Sequence, residues 1–387
     1  MTPQLFALAP GCFERLARGG GGVACVRALV SARRSRTLAA IRLAAIGDDR
    51  GRRAYDLLAA LGRQAPGAVR RVLDDPVVGA WATQAVLDGS RAAELGFVAA
   101  AAAVRAGVPV EVDLPRGGHG VLPSLGSLTG VFGGPARTDL LQWKAFPVIG
   151  VGGGVAFTIA TWPAGILPPG LELAAEVDLP ACAALLRAAW DLVTRTDPRR
   201  AAELAAVITT LTPMPARSTR TNSATVPDAL GCVFLTFNAD PESLAVTLAH
   251  EAQHAKLAAL MDIHPLVEVG GATRYYAPWR DDPRPAVGLL HGVYAFLGVT
   301  GFWRRRRLVA PGAHADREFA RWRSAALGAA RTLLAGDDLT AHGRRFAHGG
   351  VATLRECCGE RVPGDTATDA ARALADHRRR WLARHGH

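Results

Sequence analysis

A mostly helical α+β fold, with a smaller β-rich section in the middle of the chain, is expected for these 387 residues. Three observations predict it. Apolar residues recur at three- and four-residue spacing through most of the first hundred positions and again after Asp240. Short apolar or alternating runs bounded by glycine and proline are confined to the middle of the chain. Hydrophobic residues make up 49% of the sequence and charged residues 20%, enough to bury a sizeable core. That composition excludes a disordered, collagenous or coiled-coil chain. At roughly 150 residues per domain the length allows two or three domains or one elaborated unit.

Three regions follow in order: helical 1–106, β- and Gly-rich 107–175, and helical metal-binding 176–387. In the first, Leu, Ala and Val alternate with arginines, and Gly19–Gly22 makes a loop or joint. The Ala-rich stretch 92–108 is interrupted by Glu94 and Arg105 and falls short of the ~20 apolar residues that span a bilayer. PVEVDLP, from Pro109, alternates as a half-buried strand, and FPVIGVGGGVAFTIATW holds one or two more. The cluster Gly150–Gly154 lies inside an apolar run, with no GxGxxG or GxxxxGK[ST] pattern. It is read as a sheet bend, not a nucleotide site. Helical spacing returns over Asp178–Leu211, CVFLTF (232–237) is a buried strand, and the remainder is helical apart from 277–285.

The formal net charge is +11, carried almost wholly by arginine. It is spread along the chain without an aromatic-interleaved basic stripe, so no nucleic-acid partner is expected. Six scattered cysteines with no CxxC read as reduced thiols, and the N-terminus lacks a basic region leading into a long apolar run. A cytoplasmic protein without a membrane partner is the expectation.

The informative segment is LAHEAQHAKLAALMD within residues 244–262. Asp240-Pro241-Glu242 supplies an N-cap, a proline at the first helical position and an acid in the first turn. On that helix His250 and His254 share one face, with Glu251 beside them, the His-Glu-x-x-His pattern of metal sites. Unpaired imidazoles on a buried helix would be costly, which favours metal ligation over chance. A third ligand must come from elsewhere. Leu257 and Leu260 stand where the extended metzincin pattern needs Gly and His. Glu268 and His264 are conceivable. His291, with Gly288, Gly292 and Ala295 around it, is preferred because small residues let its helix approach another.

Between the helices, residues 270–285 gather Arg274, Arg280 and Arg284 with Tyr275, Tyr276 and Trp279. A guanidinium near a metal suits a carboxylate ligand, and three prolines would stiffen the segment. The bland alternative is a surface turn in which Arg280 pairs with Asp281 or Asp282. His119 reads as a loop residue, and Ser218, Thr221 and Ser223 as possible groove residues. Arg304–Arg307 ends a helix and is assigned no partner.

LAHEAQHAKLAALMD, followed by YYAPWRDDPRPAVGLLHGVYAFLGV and FWRR, resembles the HEXXH-motif peptide-modification proteins of ribosomal peptide natural-product (RiPP) biosynthesis. The likeness covers about 65 residues. Chemically understood members are iron(II)- and α-ketoglutarate-dependent peptide β-hydroxylases that use O2. The resemblance implies His250, His254 and His291 as iron ligands and a precursor peptide as substrate. The cosubstrate's distal carboxylate then needs a cation, Arg280 first and Arg284 second, with Arg274 and Tyr276 in the same segment. Three neutral ligands depart from the usual two-histidine, one-carboxylate set and leave room for zinc. The alternatives are therefore a zinc peptidase with Glu251 as general base, or a non-catalytic peptide-binding protein.

Overall fold

The computed structural model describes residues 7–117, 120–128, 130, 132–163, 165–167, 169–216, 222–238 and 240–385. Six helices come first: α1 (Cys12–Ala17), α2 (Gly22–Ala45), α3 (Asp49–Gln64), α4 (Pro66–Leu73), α5 (Pro76–Leu87) and α6 (Leu95–Ala106). Seven short strands follow: β1 (Glu111–Gly117), β2 (Val121–Leu122), β3 (Gly126–Leu128), β4 (Phe132–Arg137), β5 (Trp143–Ala145), β6 (Val148–Gly152) and β7 (Val155–Ile159). Next come α7 (Leu179–Thr196), α8 (Pro198–Val207), β8 (Thr210–Pro213), β9 (Ser223–Ala224) and β10 (Cys232–Leu235). The chain then forms α9 (Pro241–Met261), β11 (Arg274–Tyr275), β12 (Arg284–Pro285) and α10 (Ala286–Val309). It closes with α11 (Ala313–Ala335), α12 (Ala341–Gly359) and α13 (Gly364–His385). The fold is mostly helical α+β, with the small sheets largely in the middle, as the periodicity predicts.

Residue contacts divide the chain into two units that cut across the three linear regions. One gathers 1–29, 186–207 and 240–387, and the other 30–185 and 208–239. The boundaries expected at 106 and 175 are not the divisions. α2 and α7 each run from one unit into the other, so a break in composition along the chain does not mark a break in packing.

In the second unit, local chemistry starts α3, α4 and α5. Asp48 accepts from the Gly51 amide ahead of α3, Asp75 from the Val77 amide ahead of α5, and Pro66 and Pro76 occupy first helical positions. The alanine-rich stretch becomes α6, a core helix in which Ala99 through Ala103 are wholly buried. A Cβ on Gly96 would stand 2.4 Å from the Asp113 carbonyl oxygen, so α6 lies directly on β1. β6, β7, β8, β10 and β9 form one sheet in that order, with β8 parallel to both its neighbours. Helix is expected through Leu211 but ends at Val207, and Leu211 lies in β8. The β-branched run Ile208-Thr209-Thr210 suits a strand buried between two others. Gly152, Gly153 and Gly154 all take positive φ and make the antiparallel turn joining β6 to β7.

In the first unit, α10 packs against α9 and α11. By length and composition α10 could cross a membrane, and 67% of its most apolar stretch is buried within the protein. The arginines at its end pair within the protein: Arg304 with Glu360, Arg306 with Glu242, and Arg307 with Asp316. Cys12 and Cys25 are not reduced thiols but a disulfide. The glycine run, with positive φ at Gly19, Gly21 and Gly22, turns the chain back so that their Cα atoms are 5.7 Å apart. Cys182, Cys232, Cys357 and Cys358 remain free.

Candidate metal centre

α9 begins where Asp240 accepts from the Glu242 and Ser243 amides, a cap worth about 1 kcal/mol. The helix is apolar on most of its surface, with Leu244, Leu248, Leu257 and Leu260 buried. His250 and His254 are one turn apart, and their Nε2 atoms approach to 3.0 Å. Two nitrogens bound at about 2.1 Å and a right angle to one ion are ~3.0 Å apart. The pair therefore already has the spacing of adjacent ligands. His291, near the start of α10, brings its Nδ1 to 3.3 Å from Nδ1 of His254.

The three rings thus meet, but His291 faces the second nitrogen of His254, not the one that faces His250. In this arrangement the group of mutually close donors is His250, Glu251 and His254, all within 4.8 Å of one another. Glu251 is 2% exposed and its Oε1 lies 4.0 Å from His250 Nε2, farther than the spacing of adjacent ligands.

Burial disfavours the imidazolium at all three positions. It lowers the His250 pKa, and with the neighbouring histidine it pulls those of His254 and His291 down to about 4. At neutral pH the rings are uncharged, the form in which a histidine binds a metal. His250 retains 23% of its side-chain exposure, which leaves a route for a ligand.

The small residues around His291 do not serve the helix contact expected of them. A Cβ on Gly292 would sit 2.4 Å from the Trp279 ring, and one on Gly288 would be 3.1 Å from the Arg284 guanidinium. Both glycines make room for the connecting segment. The close approach of α10 to α9 is at Gly298, where a Cβ would be 2.5 Å from Gln253 Cγ and 3.2 Å from the Ala249 carbonyl.

The arginine segment separates into distinct roles. Arg280 is half exposed and bonds Asp282 at 2.7 Å, the bland alternative weighed from sequence. Arg284 also reaches Asp282, at 3.1 Å, but its guanidinium lies over Gly288, one turn before His291 on the same helix face. Arg274 is exposed and donates to the Ala272 and Thr273 carbonyls. Tyr276 is turned toward α13, its hydroxyl 2.8 Å from His377 Nδ1. His264 stacks on His342 beside Phe13, and Glu268 is exposed, so neither joins the imidazoles. His119, Ser218 and Thr221 lie outside the described residues. Ser223 pairs in β9 with Leu235.

An aromatic wall stands beside His250. Phe296 meets the His250 ring edge-on at 5.1 Å and is stacked between Trp279 at 4.6 Å and Trp322 at 4.2 Å. Phe296 and Trp322 escape a reading of the sequence, because Trp322 is on α11 and no local spacing ties it to the motif.

The opposite face of α9 is fastened by a buried ion pair. Lys256 Nζ lies 3.0 Å from Glu203 Oε2 and donates to the Gly20 carbonyl at 3.2 Å. Burial lowers the Lys256 pKa to about 8, with Glu203 opposing the shift. For Glu203 burial acts upward, and the charges of Lys256 and Arg200 outweigh it and lower the pKa.

No protein-family model matches the sequence, and no curated protein matches it.

Proposed function

We propose that the chain is an iron(II)- and α-ketoglutarate-dependent hydroxylase acting on a side-chain β-carbon of a ribosomally made precursor peptide. The observation that carries the reading is the meeting of three partly buried, neutral imidazoles from α9 and α10 at 3.0 and 3.3 Å. The resemblance of the two motif blocks supplies the chemical class. His250 and His254 would hold the metal, with His291 as third ligand. Bound there with the keto acid, ferrous iron supplies oxidation of an unactivated C–H bond by O2, with succinate and CO2 as co-products.

The chain's own residues do the positioning. Arg284, poised over Gly288, exchanges Asp282 for the distal carboxylate of the cosubstrate. It replaces Arg280 as first choice, because Arg280 is half exposed and Arg284 shares the His291 face. Trp279, Phe296 and Trp322 shield one side of the imidazoles from water and offer rings to an apolar substrate side chain. Glu251 hydrogen-bonds a ligand or water without leaving the core.

Anaerobic reconstitution with ferrous iron and α-ketoglutarate, then oxygen, tests this. Peptide-dependent succinate that disappears in His250→Ala and His254→Ala is the expected result; cleavage of peptide with zinc and no succinate refutes it. One observation favours the zinc hydrolase as a second reading: the buried Glu251 carboxylate sits 4.0 Å from His250 Nε2, within reach of a water on a metal. Glu251→Gln would then abolish cleavage, whereas a hydroxylase would keep substantial turnover.

A further inference from the structure

The second unit holds an open pocket of about 390 Å³, within the range of small-molecule pockets and far above the ~30 Å³ that one water occupies. Its apolar wall is formed by Trp81, Phe97, Val98, Val121, Phe132 and Ile166. None of these belongs to the imidazole cluster. Phe97 and Phe132 meet edge to face with centroids 5.5 Å apart. Gly120 keeps that pair in place, since a Cβ there would lie 2.8 Å from both rings. The aromatic wall therefore depends on a residue that contributes no side chain to it.

Charge in the lining is unbalanced: Arg91 and Arg116 face a single carboxylate, Glu94. Arg91 donates through Nη1 to the Gly165 carbonyl at 2.7 Å and through Nη2 to Glu94 at 3.0 Å. Its buried Nε has no acceptor among the described residues. Arg116, on β1, is exposed and has no ion-pair partner among them. Covering the apolar wall of an open pocket this size with an apolar body removes that wall from water, the favourable term that drives such binding.

We infer that this pocket is a binding site for an apolar carboxylate. An aromatic or branched aliphatic body fills the space between Trp81, Phe97 and Phe132, and the carboxylate pairs with the exposed Arg116 at its mouth. A free aryl-alkanoic acid and an acidic residue beside an aromatic one in a peptide present the same chemistry.

Isothermal titration of the full chain, with Trp81 fluorescence as a parallel readout, tests the site with three probes: 4-phenylbutyrate, 4-phenylbutyramide and acetyl-Phe-Asp-amide. Saturable binding of the acid at one site is expected, with the neutral amide about tenfold weaker for want of a charge-assisted contact. Arg116→Gln, an exposed change, should weaken the acid by about the same factor and leave the amide unchanged. Val121→Phe, its fold checked by thermal melting, should remove both by filling the space. Tighter binding of the dipeptide than of the acid assigns a peptide source, and the reverse order a free acid. No saturable binding of either acid overturns the inference, and so does binding that Arg116→Gln leaves unaltered.

Discussion

His254 is the residue on which the candidate centre turns, because both of its ring nitrogens are engaged, Nε2 toward His250 and Nδ1 toward His291. Only one of them can serve a given ion, so the third ligand is decided by whether His291 or Glu251 follows the metal. With His291 as ligand, His291→Ala should cut ferrous-iron affinity as severely as His250→Ala. Glu251→Gln, outside the ligand set, should cost about 10–100-fold. Anaerobic competition against a coloured chelator reads both, and the reverse order would make Glu251 the ligand. Protonation offers a second measurement on the metal-free chain. His254 and His291 have pKa values of about 4 in the fold, below the ~6.5 of an unfolded histidine. Between those values the unfolded chain binds more protons, so stability falls as pH drops from about 6.5 toward about 4 and is insensitive to these groups outside that window. Urea midpoints taken with chelator present should decline more steeply through this window for the native sequence than for His254→Gln.

Helix α9 is held from two sides, and the two were unequally legible. Its cap, its proline and the i, i+4 histidines are local, so the sequence displays them directly. The Lys256–Glu203 pair joins residues 53 apart in sequence, and nothing in either neighbourhood announces the partner. The glycines show the same limit in another form. Small residues beside His291 correctly signal a close approach, but what approaches is Trp279 and Arg284, while the helix contact falls at Gly298. Composition reports that space is needed and not what fills it. Removing one member of the buried pair tests the tether. Lys256→Met removes the fully buried cation and leaves Glu203 only the partly exposed Arg200 and the Gly22 amide, and should cost about 2–3 kcal/mol. Chemical denaturation measures that loss, and the double change Lys256→Met with Glu203→Leu should recover most of it. If the single variant is as stable as the native chain, the pair does not hold α9.

At the scale of the whole molecule, the helical class was legible because periodicity is a property of each segment, whereas the grouping of segments was not. Residues 1–29 join 186–207 and 240–387, an assembly that depends on where α2 and α7 carry the chain rather than on what any stretch contains. The Cys12–Cys25 bridge belongs to this level. Thirteen residues apart, with no framework of spacing around them, the two cysteines look like isolated thiols until the glycine run folds α1 back. The glycine run they bracket is also the one whose carbonyls receive Lys256, so the bridge and the ion pair fix the same turn from its two sides. Closing a loop of this length removes entropy from the unfolded chain equivalent to about 3 kcal/mol. The variant Cys12→Ser with Cys25→Ser should therefore unfold at lower denaturant, by about that amount. Because both sulfurs are buried, dithiothreitol should leave the native protein bridged and reduce it only as it unfolds. Thiol counting along a denaturation curve distinguishes this from a bridge that opens in the folded state: two thiols released before the unfolding transition would show that the turn, and with it the support of α9, does not need the bond.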